Sequence, residues 1–380
     1  MRTLLTLIFL LFIFSKILYA KECELDGTQF ITQEKCHLAF DNGSIIINGQ
    51  FENGMINGFA EVYTPEGTEN YIGSFINDEY HGYGLLIFDD AAKHLGSWKN
   101  GQFRKGIIDY PEAVYTATLH ENEKTWGRSA FLFENSEAVY VGEVKSSNFN
   151  GEGIRYALKD VAEKEISEGE YEIGVFRDNL FETDYSTELP ECEYDLKTGI
   201  VTTTDKCFGN EILNELGMEL TGVFENQELK LGIFKQSDYL RIGRFNLFTL
   251  EGYGFLSSGV DNKNTGYMDN TYYIGEFVEG RLTGYGHYTT KDDLQKYYGE
   301  FVNFSKDGFG SEFNLENEPY EFHGIFKEDR FHGYGLMYTL ASNGVDLDTK
   351  TGFYQNGEYI HDDKDIVYDN WSNEFNTRHK

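Results

Sequence analysis

The segment Tyr71–Gly84, YIGSFINDEYHGYG, returns in variant form along most of the chain, and that recurrence limits the fold more than any other property. A motif repeated at a steady interval of about 20–50 residues describes an array of like units, not one central core. The glycine of each G-x-aromatic step falls at Gly49, Gly73, Gly96, Gly142, Gly174, Gly222, Gly243, Gly275, Gly299, Gly324 and Gly352, with a recurrent interval of 21 to 25 residues. In the fullest copies a second glycine pair follows nine and eleven residues later: Gly82 and Gly84, Gly284 and Gly286, Gly308 and Gly310, Gly333 and Gly335. Weaker copies start at Gly49, Gly96, Gly142 and Gly243, and a degenerate one near Tyr115 fills the 46-residue gap between Gly96 and Gly142.

The spacing inside one unit predicts a hairpin. Tyr71, Gly73 and Phe75 alternate with Ile72 and Ser74, the period of a strand, so all three share one face. Asn77, Asp78 and Glu79 supply turn chemistry, and Gly82 and Gly84 then resume the period of two ahead of the apolar run Leu85–Phe88. Glycine weakens a strand, so its recurrence opposite aromatics implies that a ring lies on the bare backbone. A lone hairpin is marginal in water, which requires the units to stack and pair in order.

The pattern Y-x-G-x-[FW], followed six residues on by G-x-G, resembles the MORN (membrane occupation and recognition nexus) repeat over most of the chain after residue 42. The likeness is strongest in the units starting at Tyr71, Tyr273, Tyr298 and Phe322. It implies an all-β fold: an elongated, twisted, single-layer antiparallel sheet of tandem hairpins with an aromatic-lined face. The family uses such sheets for scaffolding, protein association and, in some members, membrane contact. About a dozen hairpins at ~4.8 Å per strand would extend roughly 110 Å before twist. The candidate binding face comprises Tyr71, Phe75, Tyr273, Phe277, Tyr298, Phe301, Phe322 and Phe326. Gly73, Gly82, Gly84, Gly275, Gly284, Gly286, Gly299, Gly308, Gly310, Gly324, Gly333 and Gly335 are expected to be structural.

The places where the rhythm fails speak of compartment. Residues 1–20 open with Arg2, run apolar from Leu4 to Phe14 and end on Ala20, the pattern of a secretory signal peptide. None of the four cysteines occupies a repeat position; because contacts in an array are local, Cys23 is expected to pair with Cys36 and Cys192 with Cys207. Asn42, Asn303 and Asn370 head N-x-S triplets, which become glycan acceptors in a lumenal or secreted protein. The expected organisation is a signal peptide at 1–20, a disulfide-bearing cap at 21–42 and a repeat array at 43–180. A disulfide-pinned insertion or junction at 181–217, a second array at 218–361 and a terminal cap or tail at 362–380 complete it.

Charge and motif content set the function classes. The net charge is −32, and removal of Arg2 and Lys16 with residues 1–20 takes it to −34, which repels phosphate backbones and acidic lipid headgroups. Nucleic acid is excluded as a partner and direct binding of acidic lipids is disfavoured, since no cluster of basic residues offsets the acid. No nucleophile elbow, H-E-x-x-H or P-loop occurs; His81 and His332 hold equivalent places in two repeats and read as turn residues. No C-x-x-C spacing is present, and the EF-hand-like DNKNTGYMDNTY from Asp261 has Lys263 and Tyr272 where acids are needed, so no metal or cofactor is expected. The sequence therefore favours a non-catalytic, secreted or lumenal scaffold that presents its aromatic ribbon to a protein partner or to another copy of itself. A carbohydrate binder and a peripheral membrane protein are the alternatives.

Overall fold

The structure, a computed structural model, describes residues 25–26, 29–30, 36–39 and 44–361, except 65–68, 89–91, 111–112, 121–123, 134–136, 146–147, 159–166, 214–216, 237–238, 259–270, 291, 293, 317–318 and 341–346. Among the described residues the fold is all-β with antiparallel ladders, as the period of two predicts, apart from one helical turn at Tyr185–Glu188. Thirteen strands form a first ladder: Cys36–Ala39, Ile45–Gly49, Gly58–Tyr63, Glu69–Ile76, Glu79–Phe88, Lys93–Lys99, Gln102–Tyr110, Ala113–His120, Lys124–Phe133, Ala138–Lys145, Asn148–Ala157, Tyr171–Arg177 and Leu180–Asp184. Thirteen more form a second: Cys207–Leu213, Glu219–Glu225, Glu228–Gln236, Tyr239–Asn246, Thr249–Ser258, Thr271–Val278, Arg281–Thr290, Gln295–Val302, Ser305–Asn314, Tyr320–Lys327, Arg330–Leu340, Leu347–Gln355 and Glu358–His361. Each strand pairs with its neighbour along the chain, so both ladders are meanders. Neither ladder is closed into a barrel.

Cross-strand register places glycine opposite glycine. In the second ladder Gly209, Gly222, Gly232, Gly243, Gly254, Gly275, Gly286 and Gly299 face one another in succession, a row at right angles to the strands. The first ladder repeats this with Gly73, Gly84 and Gly96, and again with Gly142, Gly153 and Gly174. The rows of the first ladder and the Gly324–Gly335 pair are floors for rings, whereas Leu229, Leu250 and Leu282 lie over Gly232, Gly243, Gly254, Gly275 and Gly286. A Cβ on Gly84 would strike the Tyr71 phenol, one on Gly153 would lie 2.5 Å from the Tyr140 hydroxyl, and one on Gly335 would strike the Phe322 ring. A second ring then covers the first: Tyr80 stacks on Tyr71 at 3.8 Å, Phe149 on Tyr140 at 3.8 Å and Phe331 on Phe322 at 4.2 Å. The phenols are also tied down, Tyr71 donating to the Ser74 carbonyl, Tyr140 to that of Glu143 and Tyr297 to that of Glu300.

The two glycines of each G-x-G do different work. Gly84, Gly153 and Gly335 lie under rings and Gly254 and Gly286 under leucines, whereas Gly82, Gly151, Gly252, Gly284, Gly308 and Gly333 have φ between 63° and 123°, a region that side chains disfavour. They sit in a recurrent irregularity: Gly73 faces Gly84 but Phe75 faces Tyr80, so the returning strand carries extra residues around Gly82. The same shift follows Gly142, Gly275 and Gly324.

Hairpin turns lock each unit to the one before. The backbone N–H of the second turn residue donates to a carbonyl of the preceding hairpin: Asp78 to Ile56, Gly101 to Tyr80, Asn179 to Phe149, Gly280 to Leu250, Phe304 to Leu282 and Gly357 to Phe331. Where that residue is Asp or Asn, the bond is returned: Asp78 Oδ1 accepts from the Ile56 N–H and Asn179 Oδ1 from that of Phe149, both at 2.7 Å. Turn chemistry therefore also stacks the repeats.

Two compact units result, Met1–Lys105 with Phe309–Lys380, and Gly106–Gly308. Each ladder is one layer thick, yet neither stands alone as expected. In the second unit Val139, Val141, Ile154 and Ile173 of the first ladder share a buried core with Val223, Leu231, Ile233, Ile242 and Ile274 of the second. In the first unit Phe59 meets Tyr334 at 4.3 Å and Tyr83 meets Phe309 at 5.5 Å. The residues that alternate with the glycine and aromatic positions supply these contacts, so the opposite face of the sheet is apolar too. Burial of both faces stabilises a ladder beyond what one aromatic face provides.

Between the ladders, Cys192 and Cys207 form a disulfide, the expected local pairing. The Cys192 N–H donates to the Phe208 carbonyl and the Phe208 N–H to that of Pro190, while Tyr194 and Val201 bridge a small loop. Ladder pairing reaches into the span 181–217 from both sides, through Leu180–Asp184 and Cys207–Leu213, because strand register survives where the glycine rhythm has lapsed. The signal peptide at 1–20, the Cys23–Cys36 bridge, Asn42, Asn370 and the tail at 362–380 lie outside the described residues.

Gly84→Ala should destabilise the chain by about 1–3 kcal/mol, because the new methyl displaces the Tyr71 ring. Tyr71→Ala alone should cost about 3–5 kcal/mol. Combining them should cost clearly less than the sum, a non-additivity that denaturant melts of the four proteins in the cycle will measure.

Candidate functional site

All eight rings expected to form an exposed binding face are buried: Tyr71, Phe75, Tyr273, Phe277, Tyr298, Phe301, Phe322 and Phe326. The correction has a simple cause. The rings fill the glycine rows and one another's edges, as Tyr71 does against Phe75 at 5.0 Å and Trp98 at 5.6 Å, and as Phe322 does against Phe326 at 5.2 Å and Tyr354 at 5.1 Å. Tyr298 is also on the other face from the rest. In QKYYGEF the repeat position two before Gly299 is Tyr297, which meets Phe301 edge-on at 5.0 Å, whereas Tyr298 stacks on His287 at 4.4 Å. The unit at Tyr273 lacks a ring at the covering position, where Leu282 stands, and Phe304 from the next turn meets Tyr273 at 5.4 Å instead.

With the rings inside, the exposed apolar groups among the described residues include a set at the hairpin ends, besides Leu196 and Ile200 in the disulfide junction and Leu213, Leu294 and Leu315 in other connections. Ile76, Val278 and Val302, each just after the buried Phe75, Phe277 and Phe301, point to solvent, as do Leu247 and Phe248. Leu247 and Phe248 are themselves the two turn residues, with φ of 49° and 66°. Comparable turns hold Asn77 and Asp78, Asp178 and Asn179, or Glu328 and Asp329. Asn303, the one described sequon asparagine, is exposed at a tip with φ of 52°, beside the buried Phe304.

Three polar clusters interrupt the apolar faces, and repeat reasoning alone missed all of them. In the second unit Glu152 replaces the aromatic of the G-x-G step, and Arg244 stands where other units carry Glu143, Glu276 or Glu300. The two departures meet: Arg244 Nη2 is 2.5 Å from Glu152 Oε2, while the Tyr185 hydroxyl donates to Oε1 at 2.8 Å and Lys206 Nζ is 3.5 Å away. Burial pushes the Glu152 carboxyl up, but the hydrogen bonds from Tyr185 and Arg244 and the charges of Arg244 and Lys206 outweigh it and hold it below its ordinary range. Both ladders and the disulfide junction contribute to this one clasp.

In the first unit Ser311 Oγ is 2.7 Å from His323 Nδ1, and His323 Nε2 is 2.8 Å from Glu321 Oε1. The order hydroxyl, imidazole, carboxylate is that of a hydrolytic triad, but Ser311 and His323 are both buried within paired strands. The third cluster joins Tyr63 to Glu61, whose carboxylate accepts from the phenol at 3.0 Å, both inside the core. A shallow hollow beside the junction is lined by Tyr171, Ile173, Asp184, Ser186, Glu191, Phe208 and Asn210. Among the described residues no group of three or more His, Cys, Asp or Glu is placed to hold a metal ion.

His287 is a buried base of another kind. Burial and the charge of Lys296 lower its pKa to about 3 against the hydrogen bond with the Tyr297 carbonyl, so the imidazole is neutral and donates from Nδ1 at 3.0 Å. In the unfolded chain the ring takes a proton near its ordinary value of 6.5. Between these values the unfolded state binds more protons, and stability falls as pH drops.

The sequence profile described as the MORN repeat matches this chain at residues 48–68, 71–91, 273–294 and 322–339. Those spans coincide with hairpins of both ladders. Repeats of this kind mark a protein that works by protein interaction or membrane association. No curated protein matches the chain with significance.

Two outcomes are expected. His287→Leu should flatten the fall in stability between pH 6.5 and 5, which in the parent reaches up to about 1.4 kcal/mol per pH unit from this ring alone; melts across that window measure it. A double-mutant cycle of Glu152→Gln and Arg244→Met should return a coupling on the order of 1 kcal/mol, screened because both side chains keep some solvent contact.

Proposed function

We propose that the chain is a non-catalytic scaffold, secreted or lumenal, that binds protein partners along the hairpin ends of its ladders. The observation that carries this reading is the exchange of surfaces: the eight repeat rings are buried, and Ile76, Leu247, Phe248, Val278 and Val302 at the hairpin ends are exposed. Single exposed apolar residues are ordinary, whereas a row of them on successive hairpin ends, as at Leu247, Phe248, Val278 and Val302, supports association. The buried state of Ser311 and His323 supports reading their contact as a structural tie. Burial of the rings also removes the stacking platforms on which a carbohydrate-binding reading depended.

The Cys192–Cys207 disulfide supports an oxidising compartment, in line with the leader-like residues 1–20. A net charge of −32 continues to oppose acidic lipids and nucleic acid as partners. Amine-directed crosslinking of the native chain in its own compartment, followed by mass-spectrometric site mapping, tests the reading through the exposed Lys99, Lys145 and Lys327 beside hairpin turns. Defined crosslinks from these lysines to a second protein, with Cys192 and Cys207 oxidised, are expected. A chain that yields no intermolecular crosslink contradicts the scaffold, and reduced cysteines in a cytosolic fraction contradict the compartment.

A further inference from the structure

Resting on the scaffold reading, we infer that Leu247, Phe248, Val278 and Val302 form one docking stripe on the second ladder, and that its occupant is a basic, amphipathic segment of a partner protein. These side chains are 67%, 42%, 48% and 46% exposed. They belong to three successive hairpins whose turns are bonded in series, the Gly280 N–H to the Leu250 carbonyl and the Phe304 N–H to that of Leu282. The stripe is therefore continuous along one edge. Two strands separate each turn from the next, so it spans about 19 Å, the length of roughly thirteen helical residues.

The turn at Leu247 and Phe248 is costly for folding alone. Both residues hold φ in the left-handed region, at 49° and 66°, where a residue other than Gly, Asn or Asp is strained; Gln227, Glu279 and Glu328 carry that strain singly, whereas this turn carries it twice, on apolar side chains. Phe304 occupies the same kind of position at 70°, but its ring is buried against Tyr273 and Phe277 and has a packing role. Leu247 and Phe248 have solvent instead. Strain without a structural return is a feature of interaction sites.

Charge selects the partner chemistry. Glu251 accepts the Glu279 N–H at this edge at 3.0 Å, and the Glu276 and Glu300 carboxylates overlie Gly284 and Gly308 one step inward. Against these four acids stand Arg244, Arg281 and Lys306; Arg244 faces Glu251 in register but is bonded to Glu152, and the Lys306 ammonium is turned over the rings of Tyr288 and Tyr297. Apolar side chains on hairpins that carry more acids than free cations fit a segment that alternates apolar residues with Lys or Arg. They do not fit an anionic membrane.

A selection of random sixteen-residue peptides displayed against the full chain tests the inference, paired with the variants Leu247→Asn/Phe248→Gly and Val278→Ser/Val302→Ser. The first variant installs residues suited to the turn, so its melting temperature should hold or rise. Enriched peptides that are basic and amphipathic, and whose affinity falls at least tenfold in each variant, are the expected result. Peptides that bind parent and variants alike would overturn the stripe while leaving the scaffold reading in place, and absence of any enriched peptide would overturn it too. Flotation of the parent, but not the variants, with zwitterionic phosphatidylcholine vesicles in place of peptide binding would make the occupant a membrane and refute the inference. Variant-sensitive dimerisation in sedimentation, again without peptide binding, would refute it in favour of a second copy.

Discussion

A ring lying flat on a row of glycines is the contact on which this molecule depends. Cross-strand register brings Gly73 against Gly84, and Gly142 against Gly153, and so opens a floor that any side chain would close. Tyr71 and Tyr140 occupy that floor, donate their phenols to the backbone and are covered by Tyr80 and Phe149. The cost of glycine in a strand is offset by ring burial in a fixed geometry. Register thereby becomes hard to slip, since a shift of one residue would drive each ring into a side chain.

The same contact explains which surfaces remain for function. Because the aromatic face is satisfied within each ladder and the alternate face is satisfied between ladders inside each unit, the apolar groups that meet solvent lie at hairpin ends and connections and in the disulfide junction. Turn residues mostly suit their left-handed backbone, as Asn77 with Asp78 and Asn356 with Gly357 do. Gln227, Glu279, Phe304 and Glu328 break that rule at one turn position, whereas Leu247 with Phe248 breaks it at both, with apolar side chains in view of solvent. Local disagreement between a residue and its backbone is most informative where no packing accounts for it.

Much of this was legible in the sequence. The period of two around Gly73, the turn at Asn77 and the pairing of Cys192 with Cys207 all follow from spacing. The sequence was less clear about Tyr297 and Tyr298, adjacent tyrosines of which only the first keeps the repeat parity. Ile72, Val141 and Ile274 alternate with the rings, but alternation alone does not say whether the second face meets water or another sheet, and the structure buries it. Gly82 reads like Gly84, yet its reason is a positive φ in an irregular register, which depends on pairing and not on composition. The clasp between Glu152 and Arg244 could have been found by a narrower signal: two departures from the repeat, of opposite charge, in units 92 residues apart.

Interior repeat rings and solvent-facing hairpin ends should be distinguishable by hydroxyl-radical footprinting of the native chain, read residue by residue by mass spectrometry. Tyr71, Tyr140, Tyr297 and Phe322 should be modified at least about tenfold more slowly in the native than in the denatured chain, while Leu247 and Phe248 react at near-denatured rates. Rapid native labelling of the four rings, with Leu247 and Phe248 protected in the isolated chain, would contradict that arrangement.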